Sequence, residues 1–207
     1  MDNKVIKQIE EYSKSLKWTP KNFYWEHTSQ VRDFALMIQK EIGGDKDVIE
    51  TSALLHDIGK AKLLAPGHEE ISAQLAEKFL GKIKFDKNKI SGVIECIRYE
   101  NFENLEAKIL RSADSMSLIM DNSGGREWYF KNVLNNDKKR VLDELRKSFF
   151  EIGFDFAKEF VDKEYQRLLK KYCQNTRPKG EKIARAKNSG GAAGGGAAPE
   201  QARPKAE

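Results

Sequence analysis

Cysteine is almost missing. The 207-residue chain has two, Cys96 and Cys173, far apart and in no zinc-binding spacing. That excludes a disulfide framework and a thiolate metal site, and it fits reduced thiols in a cytoplasmic protein. Cys96 lies in the apolar run Val93-Ile94-Glu95-Cys96-Ile97 and reads as a small core residue. Long apolar runs are missing too. No stretch approaches the roughly 18 uninterrupted apolar residues of a membrane span. The start, Met1-Asp2-Asn3-Lys4, lacks the apolar segment of a signal peptide. Only five prolines occur, and glycine is sparse before Ser189, so little in the body of the chain interrupts helices.

Net positive charge is missing from the body as well. The net charge is +5, but from Lys163 onward 11 Lys and Arg face 4 Asp and Glu. The rest of the chain is therefore slightly acidic, which argues against a fold that is itself a nucleic-acid platform. The short basic stretch from Arg177 to Lys187 is the one candidate for touching nucleic acid, a solvated tail being the plainer reading. From Ser189 to Pro199 the chain is almost all Gly and Ala. Residues 174–207 cannot bury a core and are expected to be a disordered tail, native or left from cloning.

What is present is helical periodicity. Val5, Ile6, Ile9, Tyr12, Ser13 and Leu16 mark a first helix, with Pro20 ending the segment after it. A long second helix runs to about Ile42, with Val31, Phe34, Ala35 and Ile38 on one face. Gly43-Gly44 stops it and Asp45 caps a third, which carries Val48, Ser52, Leu55, His56 and Asp57 and ends near Gly59. Pro66-Gly67 marks a turn, His68 opens a fourth helix and Asp86 caps a fifth. The sixth spans about Leu105 to Met120, and Ser123-Gly124-Gly125 is a loop. Glu127 to Cys173 reads as two further helices parted near Gly153. The segment from Trp128 to Phe160 is a bundle extension or a homodimer surface. No repeat or β-hairpin alternation is visible.

Histidine is scarce and informative, with three copies: His27, His56 and His68. His56 is followed by Asp57 inside Ala53-Leu54-Leu55-His56-Asp57-Ile58-Gly59-Lys60. Burying two such side chains in an apolar run is costly unless something binds them, and a divalent cation does so. His27 shares a face with Val31, Phe34 and Ile38. Asp114 shares one with Leu110, Ala113, Ser117 and Leu118. Taken singly, a satisfied core histidine, a buried His–Asp pair, or a carboxylate paired with Arg111 would explain each. Together they bring two imidazoles and two carboxylates inward from three helices. That set suits Mn, Fe, Co, Ni, Zn or Mg and leaves positions open for water and substrate.

His27 in Trp25-Glu26-His27, His56-Asp57 in Leu54 to Lys60, and Asp114 in Ile109-Leu110-Arg111-Ser112-Ala113-Asp114 resemble the HD-domain metal-dependent phosphohydrolase superfamily. The resemblance covers roughly residues 20–120. It implies an all-α HD-type bundle over 1–173, with a C-terminal helical extension, and one divalent ion per chain held by His27, His56, Asp57 and Asp114. It also implies hydrolysis, by metal-activated water, of a phosphate ester or anhydride of a nucleotide or small molecule. Lys60, one turn after His56, is the leading cation for developing negative charge. Arg98, Arg111, Lys62 and Arg126 are weaker candidates, since a surface ion pair explains each equally well. His68 resembles the first of two extra histidines that recruit a second metal in some branches. The second would fall near Arg98-Tyr99-Glu100, where no histidine stands. His68 is therefore expected to contact phosphate or give a proton, or else merely to start its helix. The acidic pair of (p)ppGpp hydrolases and the Gly-Tyr-Pro of cyclic-di-GMP phosphodiesterases are both absent. Trp18, Phe23, Tyr24 and Trp25 could stack a base, core packing being the plainer reading. A regulatory module that binds metal, nucleotide or RNA without turnover is the alternative.

Overall fold

Each helix begins or ends where the local chemistry dictates. The computed structural model describes residues 2–16, 23–62, 67–99 and 103–173. Trp18, Pro20, Pro66, Glu100, the Phe23 side chain and the tail from 174 lie outside the described residues. Nine α-helices occur among them: α1 (Asn3–Ser15), α2 (Phe23–Ile42), α3 (Lys46–Leu55), α4 (His68–Leu80), α5 (Lys87–Arg98), α6 (Leu105–Met120), α7 (Gly125–Asn132), α8 (Lys138–Glu151) and α9 (Asp155–Cys173). A short 3-10 helix, Ile58–Ala61, joins α3 to the approach of α4. The side chains of Asp2, Asp45, Asp86, Asn104 and Asp137 accept bonds from first-turn amides of α1, α3, α5, α6 and α8. Each such cap contributes about 1 kcal/mol. Gly43 and Gly44 both have φ above +90°, which only glycine adopts without strain, and so α2 stops there.

α3 is the central rod. Every residue from Val48 to Leu55 is buried, because α1, α2, α5 and α6 all pack against it. A helix hidden on all sides must satisfy its charges internally. Glu50 does so by an ion pair with Arg32 of α2, whose guanidinium also reaches Glu10 of α1 at 2.7 Å. α2 lies along α6 on the other side, and α8 and α9 add a second layer against α6. Stacked Phe149 and Tyr165 and edge-on Phe130 and Tyr172 fill that layer.

The pattern of helices up to Met120 matches the sequence reading, with two corrections. The third helix does not run to Gly59; it ends at Leu55, and Asp57 takes φ −106° and ψ 3°. The segment after Gly125 holds three helices rather than two. The missed break falls at Asn135 and Asn136, both left-handed, ahead of the Asp137 cap. Asparagine is the side chain that tolerates this region best, so the signal was present in Asn135-Asn136-Asp137.

Candidate metal centre

The end of α3 sets up the site. His56 closes the helix, and its Nδ1–H donates to the Ala53 carbonyl at 2.8 Å. The chain then leaves helical geometry at Asp57, in the sparsely populated bridge region. In a continuous helix the two side chains would diverge by about 100°. The turn removes that divergence, so both face the same point. α2 brings His27 and α6 brings Asp114 to it.

His27 Nε2 lies 3.3 Å from each of His56 Nε2, an Asp57 oxygen and an Asp114 oxygen. His56 Nε2 is 3.5 Å from the same Asp57 oxygen and 3.8 Å from the same Asp114 oxygen. Ligands bound at about 2.1 Å to one ion stand about 3.0 Å apart in an octahedron and about 3.4 Å in a tetrahedron. The separations among His27, His56 and Asp57 are of the size a single cation bridges, and Asp114 stands at the rim of that group.

The protons point the same way. The Ser117 hydroxyl donates to the Asp114 carbonyl at 2.7 Å, so at 3.0 Å it accepts from His27 Nδ1–H. With Nδ1–H of both histidines committed elsewhere, both Nε2 atoms present lone pairs. Burial lowers the pKa of His56 further and keeps it neutral, against the pull of Asp57 and Asp114. The two imidazole Nε2 atoms and an Asp57 oxygen then face one another, with an Asp114 oxygen within 3.8 Å of both imidazoles. A divalent cation resolves that arrangement. His27, His56 and Asp57 form a recognisable metal-holding group by distance alone.

The surroundings hold Asp57 ionised. Burial by itself would raise its pKa. The charge of Lys60 and the bond from His68 work against this, and Asp57 is held well below the usual carboxylate range. Lys60 Nζ donates to one Asp57 oxygen at 2.5 Å, and His68 Nε2 lies 3.1 Å from the other. His68 Nδ1 faces Glu69 at 3.4 Å. Burial would lower the pKa of His68, but the bond and charge of Asp57 raise it. His68 thus both opens α4 and contacts Asp57.

Arg98 and Arg111 come together on the wall of a cavity of about 310 Å3, with Gly67, Glu69, Glu70 and Tyr99. Arg98 is paired with Glu70 at 2.7 and 3.1 Å. Arg111 lies over the Tyr99 ring. Lys62 is exposed. Arg126 is turned away: it is buried, and it donates to the Ile119 carbonyl at 2.6 Å at the end of α6. Of the aromatic group, Tyr24 is core and Trp25 lies under Lys14. Sequence reasoning missed the Gly59 amide bond to the Ser72 hydroxyl, at 2.8 Å, which ties α4 to the turn. Ser117 was visible as a residue on the Asp114 face, but its role was not.

Residues 24–119 match the family model of the HD domain. Those residues form an HD domain. Among curated proteins, this HD-domain chain is 29% identical over 148 residues to Ribonuclease Y of Petrotoga mobilis, spanning 68% of the chain and 24% of the relative. It is 31% identical over 123 residues to Ribonuclease Y of a Sulfurovum species, spanning 56% and 21%. The chain thus spans about a quarter or less of the length of these relatives. Among solved structures it resembles Bacillus subtilis YpgQ in complex with ADP. The TM-score there is 0.63 at 22% identity, over 83% of this chain and 93% of that one, a likeness of fold. No helix among the described residues is long and apolar enough to cross a membrane.

Proposed function

We propose that this HD-domain protein is a metal-dependent phosphohydrolase acting on a phosphate ester or anhydride of a nucleotide. The observation that carries this is the meeting of His27, His56 and Asp57, with Asp114 within 3.8 Å of both imidazoles and both imidazole N–H groups directed elsewhere. A divalent ion bound there supplies Lewis acidity toward water and a phosphoryl oxygen. In the hydrolysis, water adds to phosphorus, the bond to the leaving oxygen breaks, and a proton passes to that oxygen. The chain's own residues set the conditions. Ser117 and the Ala53 carbonyl fix the imidazoles. Lys60 and His68 hold Asp57 as a carboxylate, and Lys60, a third exposed, also offers positive charge toward the opening. Arg98 and Arg111 stand on the adjoining cavity wall for the anionic part of the substrate.

The ADP complex of YpgQ and the phosphate chemistry of the family favour a nucleotide. The Ribonuclease Y relatives favour a second reading, in which the bond cleaved is an RNA phosphodiester. One panel separates them. Metal content is measured, and phosphate or oligonucleotide release is followed on nucleoside mono-, di- and triphosphates, simple phosphomonoesters and a short RNA, each with Mn, Fe, Co, Ni, Zn and Mg. Wild type is compared with Asp57→Asn. Absence of turnover with every metal, or equal turnover in the variant, removes the enzyme reading and leaves a binding module.

A further inference from the structure

The cavity of about 310 Å3 beside the centre has evenly matched walls. Glu69 and Glu70 bring two carboxylates to it, Arg98 and Arg111 two guanidiniums. One imidazole links it to the centre: His68 Nδ1 faces a Glu69 oxygen at 3.4 Å, and His68 Nε2 lies 3.1 Å from an Asp57 oxygen. An anion entering the cavity meets no surplus of positive charge from these walls. It gains by exchanging contacts with the groups already there.

The two carboxylates are held differently. Glu69 is tied within the start of its own helix, where its Oε2 accepts from the Gly67 amide at 3.0 Å and faces His68. Glu70 reaches across to α5. Its oxygens accept from Arg98 Nε at 2.7 Å and from Arg98 Nη2 at 3.1 Å, and one of them also accepts from Gln74 at 2.8 Å. Two such parallel bonds form the fork by which a guanidinium also grips phosphate. Glu70 therefore occupies an edge of Arg98 that an incoming anion would use. It is also the more exposed side chain of the pair, 49% against 32%. A carboxylate that only braced the arginine toward a ligand would lie behind it, whereas this one lies to the solvent side. Exposed ion pairs open easily, at about 5-fold in an equilibrium constant or less.

We propose that Glu70 is an anion gate: its carboxylate holds the Arg98 edge in the ligand-free protein and yields it to a phosphoryl oxygen of the substrate. Glu70 then sets how strongly an anion must bind in order to enter. The proposal rests on the reading that Arg98 and Arg111 receive the anionic part of a phosphate substrate. It reverses the usual expectation for a cavity residue, because removing the carboxylate strengthens binding.

Inorganic phosphate is titrated into isotope-labelled, metal-free protein, and the NMR shifts of the Gly67 and Tyr99 amides report the cavity. Glu70→Gln keeps the shape and removes the charge. Its phosphate Kd is expected to fall about 3- to 10-fold, up to about 5-fold from the ended competition and the rest from the repulsion removed. Glu70→Ala, which also frees the edge, should show the same gain. Glu95→Gln makes the same charge change at an exposed position of α5 away from the cavity wall, and should change Kd less than about 2-fold. In an Arg98→Gln background, Glu70→Gln should gain no more than Glu95→Gln does. A gain no larger than that of Glu95→Gln, weaker binding in both Glu70 variants, or a gain that persists without the Arg98 guanidinium overturns the proposal. So does the absence of any phosphate-dependent shift in wild type and both Glu70 variants. Wild type that hydrolyses nothing on the substrate panel removes the hydrolase reading, and the phosphate titration still decides the role of Glu70.

Discussion

A methyl group added at Gly59 would sit 2.2 Å from the His68 carbonyl oxygen and 2.8 Å from both the Ser72 amide nitrogen and the Ser72 hydroxyl. Two of these three atoms are backbone at the start of α4. Relief therefore requires the helix to move, since no side-chain rotation can supply it. A retreat of about 1 Å would restore ordinary contact, but it would stretch the Gly59–Ser72 bond of 2.8 Å and the His68–Asp57 contact of 3.1 Å. Overpacking of this kind costs about 1–3 kcal/mol, and the lost bond to a buried amide adds about 1 kcal/mol. Gly59→Ala is thus expected to destabilise by about 2–4 kcal/mol, which lowers Tm by about 5–15 °C in a domain of this size. Thermal unfolding of the metal-free protein, followed by far-UV circular dichroism, measures it. Ser72→Ala, which removes the bond and leaves the space, should cost about 1–2 kcal/mol. The double variant should cost less than the two singles added, because they share an interface. A Tm drop below about 2 °C for Gly59→Ala would refute the reasoning, since a clash with backbone cannot be relieved so cheaply.

Asp114→Ala should weaken binding of a divalent metal by at least about 100-fold. It should barely move the stability of the metal-free protein, because the side chain is 38% exposed; equilibrium dialysis and thermal unfolding check the two parts. Ser117→Ala removes the acceptor that fixes His27 and should weaken metal binding by about 10- to 100-fold, with titration by a chromophoric competitor as the assay. Asp45 and Asp47 are partly buried, which would raise their pKa values, but bonds from Lys89 hold both below the usual carboxylate range. Their stabilisation is therefore present above about pH 4 and is lost as pH falls through the lowered folded values. Urea unfolding between about pH 2 and 5 should show a shallower acid limb in Lys89→Ala, by less than about 1 kcal/mol because the groups are partly exposed.

How much of the site was legible depends on how local each signal is. His27, His56, Asp57 and Asp114 could be named from apolar periodicity and from the company each residue keeps, because those patterns lie within one or two turns of a helix. The convergence of His56 and Asp57 was read from the wrong geometry. Helical spacing separates adjacent residues, and the bridge-region backbone at Asp57 that brings them together depends on packing against α4. Arg126 looked available as a cation in the sequence, yet it closes the end of α6 from a buried position. Arg98 and Arg111 were weak candidates separated by thirteen positions, and only the crossing of α5 and α6 puts them on one cavity.

The sequence by itself determined the helical order, the caps and the donor types, since each follows from spacing and side-chain chemistry within a few residues. It also set two imidazoles and two carboxylates on apolar helix faces, which is what suggested a metal ion. Only the tertiary structure decided which nitrogen of each histidine faces the centre. That choice belongs to the Ala53 carbonyl and to Ser117, and the latter lies ninety residues from the imidazole it holds. Tertiary packing also decided that Gly59 must be glycine. Hydrogen bonds and close contacts across helices are formed by residues far apart in the chain, so no local pattern records them.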